Sequence, residues 1–154
     1  MHQITTKYFG EMGYEEAAVV TFPDGIPGFE QERGFLPIRQ PLSAPIVFLQ
    51  SLATPGLCFA TLPVESVRQG YELAVSPEDL EALGLPPDRQ PNVGQEVICL
   101  TIISVAEDRS VTGNLLAPLV INLATGRGRQ AIQTDTEYSH RQPLDAATGG
   151  PGCS

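Results

Sequence analysis

Hydrophobic residues along this chain fall into short runs that are rich in Val, Ile, Leu, Thr and Phe. Fifteen Gly and 14 Pro residues are spread evenly and separate these runs. Short β-branched runs bounded by turn residues are typical of many short strands rather than of long helices. The pattern therefore predicts a mostly β protein, with candidate strands at Ile4–Phe9, Tyr14–Phe22, Phe35–Arg39, Ile46–Leu52, Leu57–Leu62, Glu96–Val105, Val111–Leu116, Leu119–Leu123 and Arg129–Thr134.

The last four runs form two predicted hairpins. A polar connection at 107–110 joins the first pair, and a Gly-bearing connection at 124–128 joins the second. Short connections of this kind favour antiparallel neighbours. The segment Val97–Ile103 is apolar at both alternating positions, which predicts a central strand covered on both faces. Pro118 cannot donate a ladder hydrogen bond, so we expect a bulge, a bend or an edge position there.

One short helix is predicted at about 77–84. Ser76 is a favourable N-cap, Pro77 suits the first helical position, and the acidic residues 78 and 79 complement the positive end of the helix dipole. Gly84 can end the helix in the left-handed conformation, and the two prolines that follow prevent its continuation. A helix of about two turns is marginal alone and needs the sheet to hold it.

Length and charge limit the kinds of protein this chain can be. Its 154 residues suit one domain, which we place at 1–144, followed by a flexible Gly-rich tail at 145–154. Nine Lys and Arg against 18 Asp and Glu give a formal charge of −9. Such a surface disfavours direct nucleic-acid binding and favours encounter with basic proteins. A net negative charge is also common in proteins in which it contributes only to solubility.

The three cysteines, Cys58, Cys99 and Cys153, form no CxxC pair, and the first two lie in apolar runs. This usage fits a reducing compartment. We see neither an apolar signal core at the N-terminus nor a run long enough to cross a bilayer, so we expect a cytoplasmic protein without membrane contact.

Motifs that would indicate chemistry are missing from the sequence. His2 and His140 have no metal-ligand spacing, and no nucleophile elbow, Walker loop or dinucleotide fingerprint is present. Glu15 and Glu16 are adjacent, and strand alternation would send them to opposite faces, which makes them a poor acid–base pair. The sequence therefore predicts a protein that is not an enzyme and takes no cofactor or metal.

Three segments stand out instead. Phe22–Glu30 carries the apolar residues Ile26 and Phe29 on a stiff Pro/Gly loop. The second is Pro45–Leu52, and the third, Asn114–Asn122, is a nearly apolar stretch framed by Asn and broken by one Pro. A structural interpretation of the third is a core strand with a bulge, whose Asn side chains satisfy freed backbone groups. A binding edge is the functional interpretation.

Taken together, these segments resemble the bacterial flagellar assembly factor FliW family. The resemblance lies in an ordered set of motifs that covers residues from about 3 to 144: Gly25-Ile26-Pro27-Gly28-Phe29-Glu30, Leu49-Gln50-Ser51, Asn114 to Asn122, Gly128-Arg129-Gln130-Ala131-Ile132, and Tyr138 with Arg141-Gln142-Pro143-Leu144. It implies a compact, antiparallel β-barrel-like fold.

The resemblance also implies a non-enzymatic regulator that switches between two partners. Members of the family bind flagellin in the cytoplasm and antagonise CsrA, a small RNA-binding translational repressor. An acidic body suits a basic RNA-binding protein, and an apolar edge suits the amphipathic terminal segments of flagellin. The candidate contacts are Asn114, Leu116, Pro118 and Asn122 for one partner, and Glu30, Glu15 and Glu16 for the other. If the functional interpretation holds, Asn114→Ala weakens partner binding with little loss of thermal stability.

Two hypotheses that assign the chain to other classes of protein remain open at this point. A small β-barrel enzyme would need a deep pocket with convergent polar groups and perturbed titratable residues. A β-barrel module that binds RNA or another ligand, with no flagellar role, would show a basic or aromatic face.

Overall fold

The computed structural model describes residues 2–105, 108–134 and 138–144. The predicted tail at 145–154 lies outside the described residues. Within them, the chain forms strands β1 His2–Thr6, β2 Gly10–Tyr14, β3 Val20–Thr21, β4 Gly34–Arg39, β5 Val47–Ser51, β6 Cys58–Pro63, β7 Val97–Val105, β8 Val111–Gly113, β9 Leu119–Asn122, β10 Gly128–Gln130 and β11 Gln142–Pro143, and helices α1 Val64–Val67 and α2 Pro77–Leu83. Neither helix is long and apolar enough to span a lipid bilayer.

Every strand pair in the described chain is antiparallel. The main sheet has the order β10-β9-β7-β6-β5-β4-β3, while β8 extends it beside β7 and β11 pairs with β8. The strands β1 and β2 form a separate hairpin. Both predicted hairpins, β7–β8 and β9–β10, are confirmed. The central position predicted for Val97–Ile103 is confirmed as well, because β7 pairs with β6 on one edge and with β9 and β8 on the other.

The main sheet curls until its two ends nearly meet. The backbone N–H of Thr21, in the outer strand β3, donates to the Gly126 carbonyl in the β9–β10 turn at 2.8 Å. Gly126 has φ +76°, and a Cβ there would lie 2.7 Å from the Val19 carbonyl oxygen. A Cβ on Gly128 would lie 2.5 Å from the ring of Phe22. The closure thus depends on two positions without side chains, and the mostly β, antiparallel, barrel-like fold class is confirmed.

Apolar residues gather in three clusters that follow the faces of this curled sheet. The inner cluster is built around Phe22, Phe35, Leu49, Leu100 and Leu119. On the opposite face of β7 and β9, a second cluster brings Val97, Cys99 and Val120 against Leu80 and Leu83 of α2. The third places Ile4 of the β1–β2 hairpin over Leu36 and Ile38 on the outer face of β4. Apolar burial on both faces explains why the central runs lack simple polar alternation.

The predicted helix is confirmed as α2. The Ser76 hydroxyl accepts the Asp79 N–H at 3.1 Å, and Gly84 ends the helix with φ +76°. The prediction of a single helix missed α1, which is one turn directly after Pro63 and has no side-chain cap. Such a short turn is too short to produce a helical period in the sequence.

The prediction that Tyr14–Phe22 forms one strand is wrong. The chain leaves β2 at Tyr14 and makes a 3₁₀ turn at Glu16–Ala18 before β3 begins. The turn contains consecutive Glu and Ala residues, which are depleted in strands. Glu15 and Glu16 therefore do not alternate across a strand; both lie in an exposed turn.

Three other strand predictions were wrong by more than one residue at an end. The first strand runs from His2 to Thr6, because the Thr6 hydroxyl donates to the Gly10 carbonyl and starts a turn there. The strand predicted to reach Leu116 ends at Gly113, and the one predicted to reach Thr134 ends at Gln130. Beyond both ends, the backbone pairs with segments that are distant in sequence.

Candidate partner-binding surface

The predicted interruption at Pro118 is a large bulge. The strands β8 and β9 lie along the same edge of β7, where Gly113 pairs with Ile103 and Leu119 with Leu100. Five residues, 114–118, therefore stand opposite two, 101 and 102. We call residues 114–118 the bulge.

Asn114 holds the first turn of the bulge. Its Oδ1 accepts the backbone N–H groups of Leu116 at 3.0 Å and Ala117 at 3.1 Å. Its carbonyl accepts the Thr101 hydroxyl at 2.7 Å. Gly113 fits beside this contact because a Cβ there would lie 3.2 Å from the Thr101 side chain. The Asn114 oxygen thus satisfies backbone groups that the strand has released, as the structural interpretation expected.

The rest of the bulge is bound by segments from the far end of the chain and from the loop before α2. Each carbonyl from Leu115 to Pro118 has a donor, and these are Tyr71 Oη to Leu115 O, Gln133 N to Leu116 O, Gln130 Nε2 to Ala117 O, and Ala131 N to Pro118 O. The Leu115 N–H donates to the Ser139 carbonyl at 2.9 Å. Because buried backbone groups need partners, these hydrogen bonds let the loop pack against the rest of the protein.

Asn122 fixes the other end of the segment Asn114–Asn122. Its Nδ2 donates to the Leu83 carbonyl at 2.9 Å, and its Oδ1 accepts the Ala124 N–H at 2.9 Å. The residue is only 4% exposed. Pro118 is buried, while Asn114 and Leu116 are half-buried. Of the four candidate residues on this segment, only Asn114 and Leu116 reach the surface in part.

A groove of about 470 Å³ opens beside Asn114, on the face formed by the ends of β7 and β8. Besides Asn114, it is lined by the hydroxyl side chains of Ser104, Ser110 and Thr112, by the apolar Ile102 and Val105, and by His140 and Arg141. His140 is exposed there. Neither Cys58 nor Cys99 lines this groove, so it does not bring a thiol and His140 together as a nucleophilic Cys–His pair.

The predicted acidic contacts lie on two separate exposed turns. Glu15 precedes the 3₁₀ turn after β2 and Glu16 begins it, and His2 lies 3.8 Å from the Glu16 carboxylate. Glu30 is exposed and accepts the Gly28 N–H at 3.0 Å, which lowers the pKa of its carboxyl. Among the described residues, no Lys or Arg pairs with these three carboxylates, so their charge faces solvent.

The loop at Gly25–Glu30 is compact and is joined to the end of β5. Gly25 has φ +75°, and a Cβ there would lie 2.5 Å from the Glu30 Cα. Glu32, just after the loop, accepts the hydroxyls of Ser51 and Thr54. The residue two positions after one motif of the family resemblance thus contacts Ser51, the last residue of another. Ile26 is buried in the inner core, whereas Phe29 is 41% exposed and packs edge-on against Phe59.

Sequence reasoning gave no role to Arg129, which joins three elements. From β10 its guanidinium reaches Asp24 at 2.6 Å and Asp79 of α2 at 2.5 Å. These carboxylates raise the pKa of Arg129 further above its usual value, with the Asp79 hydrogen bond as the largest cause. The partners lie 50 and 105 residues away in sequence, so no local pattern could have indicated them.

A second concave surface is apolar. The strand β6 ends at Pro63, opposite Leu100, whereas β7 begins three residues earlier, at Val97. The resulting gap in the sheet holds a cavity of about 370 Å³, which we call the notch. The notch is lined by Arg39, Gln40, Ala44, Pro45, Ile46, Val47, Pro63, Val64, Glu65, Val93, Gly94, Ile98, Cys99 and Leu100. The sequence indicated Ile46 and Ile98 only as strand residues, because a gap depends on where neighbouring strands end.

The thiols of the described chain are poorly suited to nucleophilic chemistry. Burial raises the pKa of Cys99 to about 12, and nearby Glu65 adds to the effect. Burial also raises the pKa of Cys58. A thiolate is the reactive form, so both groups are inert at neutral pH. Across residues 2–105, 108–134 and 138–144, no group of three or more His, Cys, Asp or Glu could hold a metal ion.

Comparison with known proteins gives a consistent result. A family model described as "FliW protein" matches residues 3–144. The chain is 34% identical to the flagellar assembly factor FliW of Syntrophomonas wolfei, over 92% of this chain and 88% of the relative. It is 31% identical to the flagellar assembly factor FliW of Bacillus subtilis, over 97% of this chain and 99% of the relative. These names describe an assembly factor rather than a catalyst.

A solved structure agrees with the sequence matches. The crystal structure of a flagellar assembly factor FliW superimposes with a TM-score of 0.80 at 34% identity, and covers 94% of this chain and 97% of the other. The family match over nearly the whole described domain, the relatives and this structure lead to one conclusion: the chain belongs to the FliW family of flagellar assembly factors.

Proposed function

We propose that this protein, whose family gives it a role in flagellar assembly, is a non-enzymatic regulator that binds flagellin in the cytoplasm and antagonises the translational repressor CsrA by partner switching. It needs no cofactor for this and does not contact nucleic acid or membrane. The observation that carries the proposal is the FliW family match over residues 3–144.

The charge distribution supports a basic partner. The protein carries a formal charge of −9, and Glu15, Glu16 and Glu30 lie exposed without a Lys or Arg partner among the described residues. Complementary charge accelerates encounter and selects partners more than it raises affinity. A small RNA-binding protein such as CsrA is the partner that these carboxylates would attract.

The segment 114–122 supports a second contact surface. Asn114 and Leu116 are half-buried at the bulge, so part of each side chain can touch a partner. Pro118 and Asn122 are buried and would act by holding the shape of the segment. A bulge whose backbone is fully bonded can present the same surface before and after binding, which reduces the ordering cost of association.

Partner switching follows from mutual exclusion. When flagellin accumulates, it occupies the protein and leaves CsrA free to repress translation. When flagellin is exported, the protein binds CsrA and relieves the repression. Each ligand therefore lowers the apparent affinity of the other.

Separate calorimetric titrations at physiological salt test the proposal. We expect saturable one-to-one binding to monomeric flagellin and saturable binding to CsrA. A folded protein that binds neither partner, when both partners are shown to be folded and competent, would contradict the proposal. As a control for charge alone, a basic protein with no flagellar role should show no saturable binding.

A further inference from the structure

The notch is a gap in the sheet that the chain itself leaves unfilled. At Pro63 the chain would continue as the neighbour of β7, but the next residue, Val64, begins α1. The far wall is formed by the start of β5 and the residues before it, including Ile46. The sheet therefore lacks part of a strand between β5 and β7, next to Leu100, which lines the notch.

The side chains around this gap are mostly apolar and partly open to solvent. Val93 is 48% exposed on one wall, and Ile46 and Ile98 are half-buried. Apolar side chains that line an open concavity gain from a partner that removes them from water. The size of the cavity, about 370 Å³, suits one or two apolar side chains of a partner rather than a whole domain.

Two charged residues stand at the rim of the notch, and they are not equivalent. Glu65 accepts the Gly70 N–H at 3.0 Å, so part of its acceptor capacity is used within the protein. Arg39 is exposed and has no ion pair among the described residues. In a chain of formal charge −9, this leaves an available cation beside an apolar cavity. Its complement is a segment that carries a carboxylate next to its apolar anchors.

We propose that the notch docks an amphipathic segment of flagellin, with an apolar side chain in the cavity and a carboxylate against Arg39. The assignment rests on the proposed function, and it adds the notch to the contact surface proposed at 114–122: the basic repressor meets the exposed carboxylates, and flagellin meets the notch. Glu15, Glu16 and Glu30 do not line the notch, so the two contacts use different side chains.

Two notch variants, each with a matched control, test this assignment. Val93→Glu places a charge in the apolar cavity, and Ile132→Glu makes the same change at a 70% exposed apolar residue outside it. Arg39→Glu reverses the rim charge, and Arg33→Glu reverses another exposed arginine that does not line the notch. Affinity for monomeric flagellin and for CsrA is measured by calorimetry, and thermal unfolding confirms that each variant is folded.

We expect both notch variants to weaken flagellin binding by about tenfold or more and both controls to stay within about twofold of the parent protein. CsrA affinity should change by less than about twofold for Val93→Glu. If the parent binds flagellin and the folded notch variants bind it equally well, the notch assignment is overturned while the proposed function stands. If the parent binds no flagellin, both are overturned.

Discussion

The amide oxygen of Asn114 decides the shape of the bulge by accepting two successive backbone N–H groups. The sequence indicated that this residue matters, because a polar residue framed an apolar stretch. It left open whether the side chain faces a partner or its own backbone. The hydrogen bonds give it a structural role, while its half-exposed position leaves room for a contact as well.

Asn114→Ala should lower the free energy of unfolding by about 1–3 kcal/mol, because two backbone donors at the bulge lose their acceptor. Urea unfolding measures the change. Asn92→Ala is the matched control, since the Asn92 side chain is exposed and makes no hydrogen bond among the described residues. Equal stability of the two variants would show that the bulge does not depend on the Asn114 side chain.

The ion pair between Glu96 and Arg89 makes the free energy of unfolding depend on pH. The Glu96 carboxylate binds Arg89 with two contacts of 2.8 and 2.7 Å and accepts the Asn92 N–H, and these bonds lower its pKa from 4.5 to about 2. The folded state therefore holds the ionised form more strongly than the unfolded state does. The contribution to stability is complete above about pH 4.5 and is lost as the pH falls toward about 2.

Glu96→Gln should consequently be less stable than the parent at pH 7, and the difference should shrink steadily between pH 4.5 and pH 2. Denaturant unfolding at a series of pH values measures it. A stability difference that is the same at both ends of this range would mean that the ion pair is not the source of the effect.

At the scale of elements, local signals predicted where strands are interrupted but not what fills the interruption. Pro118 correctly predicted a break between β8 and β9. The donors that satisfy the break come from residues such as Tyr71 and Gln133, which no spacing connects to it. For the same reason, the sequence could mark Ser76 and Gly84 as the ends of α2 but could not identify its anchor to Asn122.

The closure of the curled sheet yields a prediction at this scale. Gly128→Ala would place a Cβ 2.5 Å from the ring of Phe22, which is fully buried and packs edge-on against Phe35. We expect a loss of about 1–3 kcal/mol in unfolding free energy. Gly56→Ala is the control, because its Cβ would meet only Lys7 at 3.8 Å, an ordinary contact. A tolerated Gly128→Ala would mean that the sheet ends are loosely packed.

For the whole molecule, the frequency of short β-rich runs was enough to predict the fold class. It could not predict which strands would flank the central strand β7 or that a gap would open beside it. These features depend on pairings between segments far apart in sequence. The candidate site was predictable only as far as the motifs themselves, since the contacts that hold them together, such as that of Ser51 with Glu32, arise from the fold.

The negative charge of the molecule has a kinetic consequence. If CsrA is drawn to exposed carboxylates, its association rate should fall as salt rises, because exposed charges are screened over about 8–10 Å at physiological ionic strength. Flagellin docking in an apolar notch should depend on salt much less. Stopped-flow association at low and high salt compares the two. A salt response that is equally weak for both partners would contradict the assignment of CsrA to the acidic surface.

Competition between the two partners is the central claim, and displacement measures it most directly. A preformed complex of this protein with fluorescently labelled CsrA is titrated with monomeric flagellin, and the anisotropy of CsrA is followed. The partner-switch account predicts complete release of CsrA that saturates near one equivalent of flagellin. A stable ternary complex, or CsrA that remains bound while flagellin also binds, would contradict it.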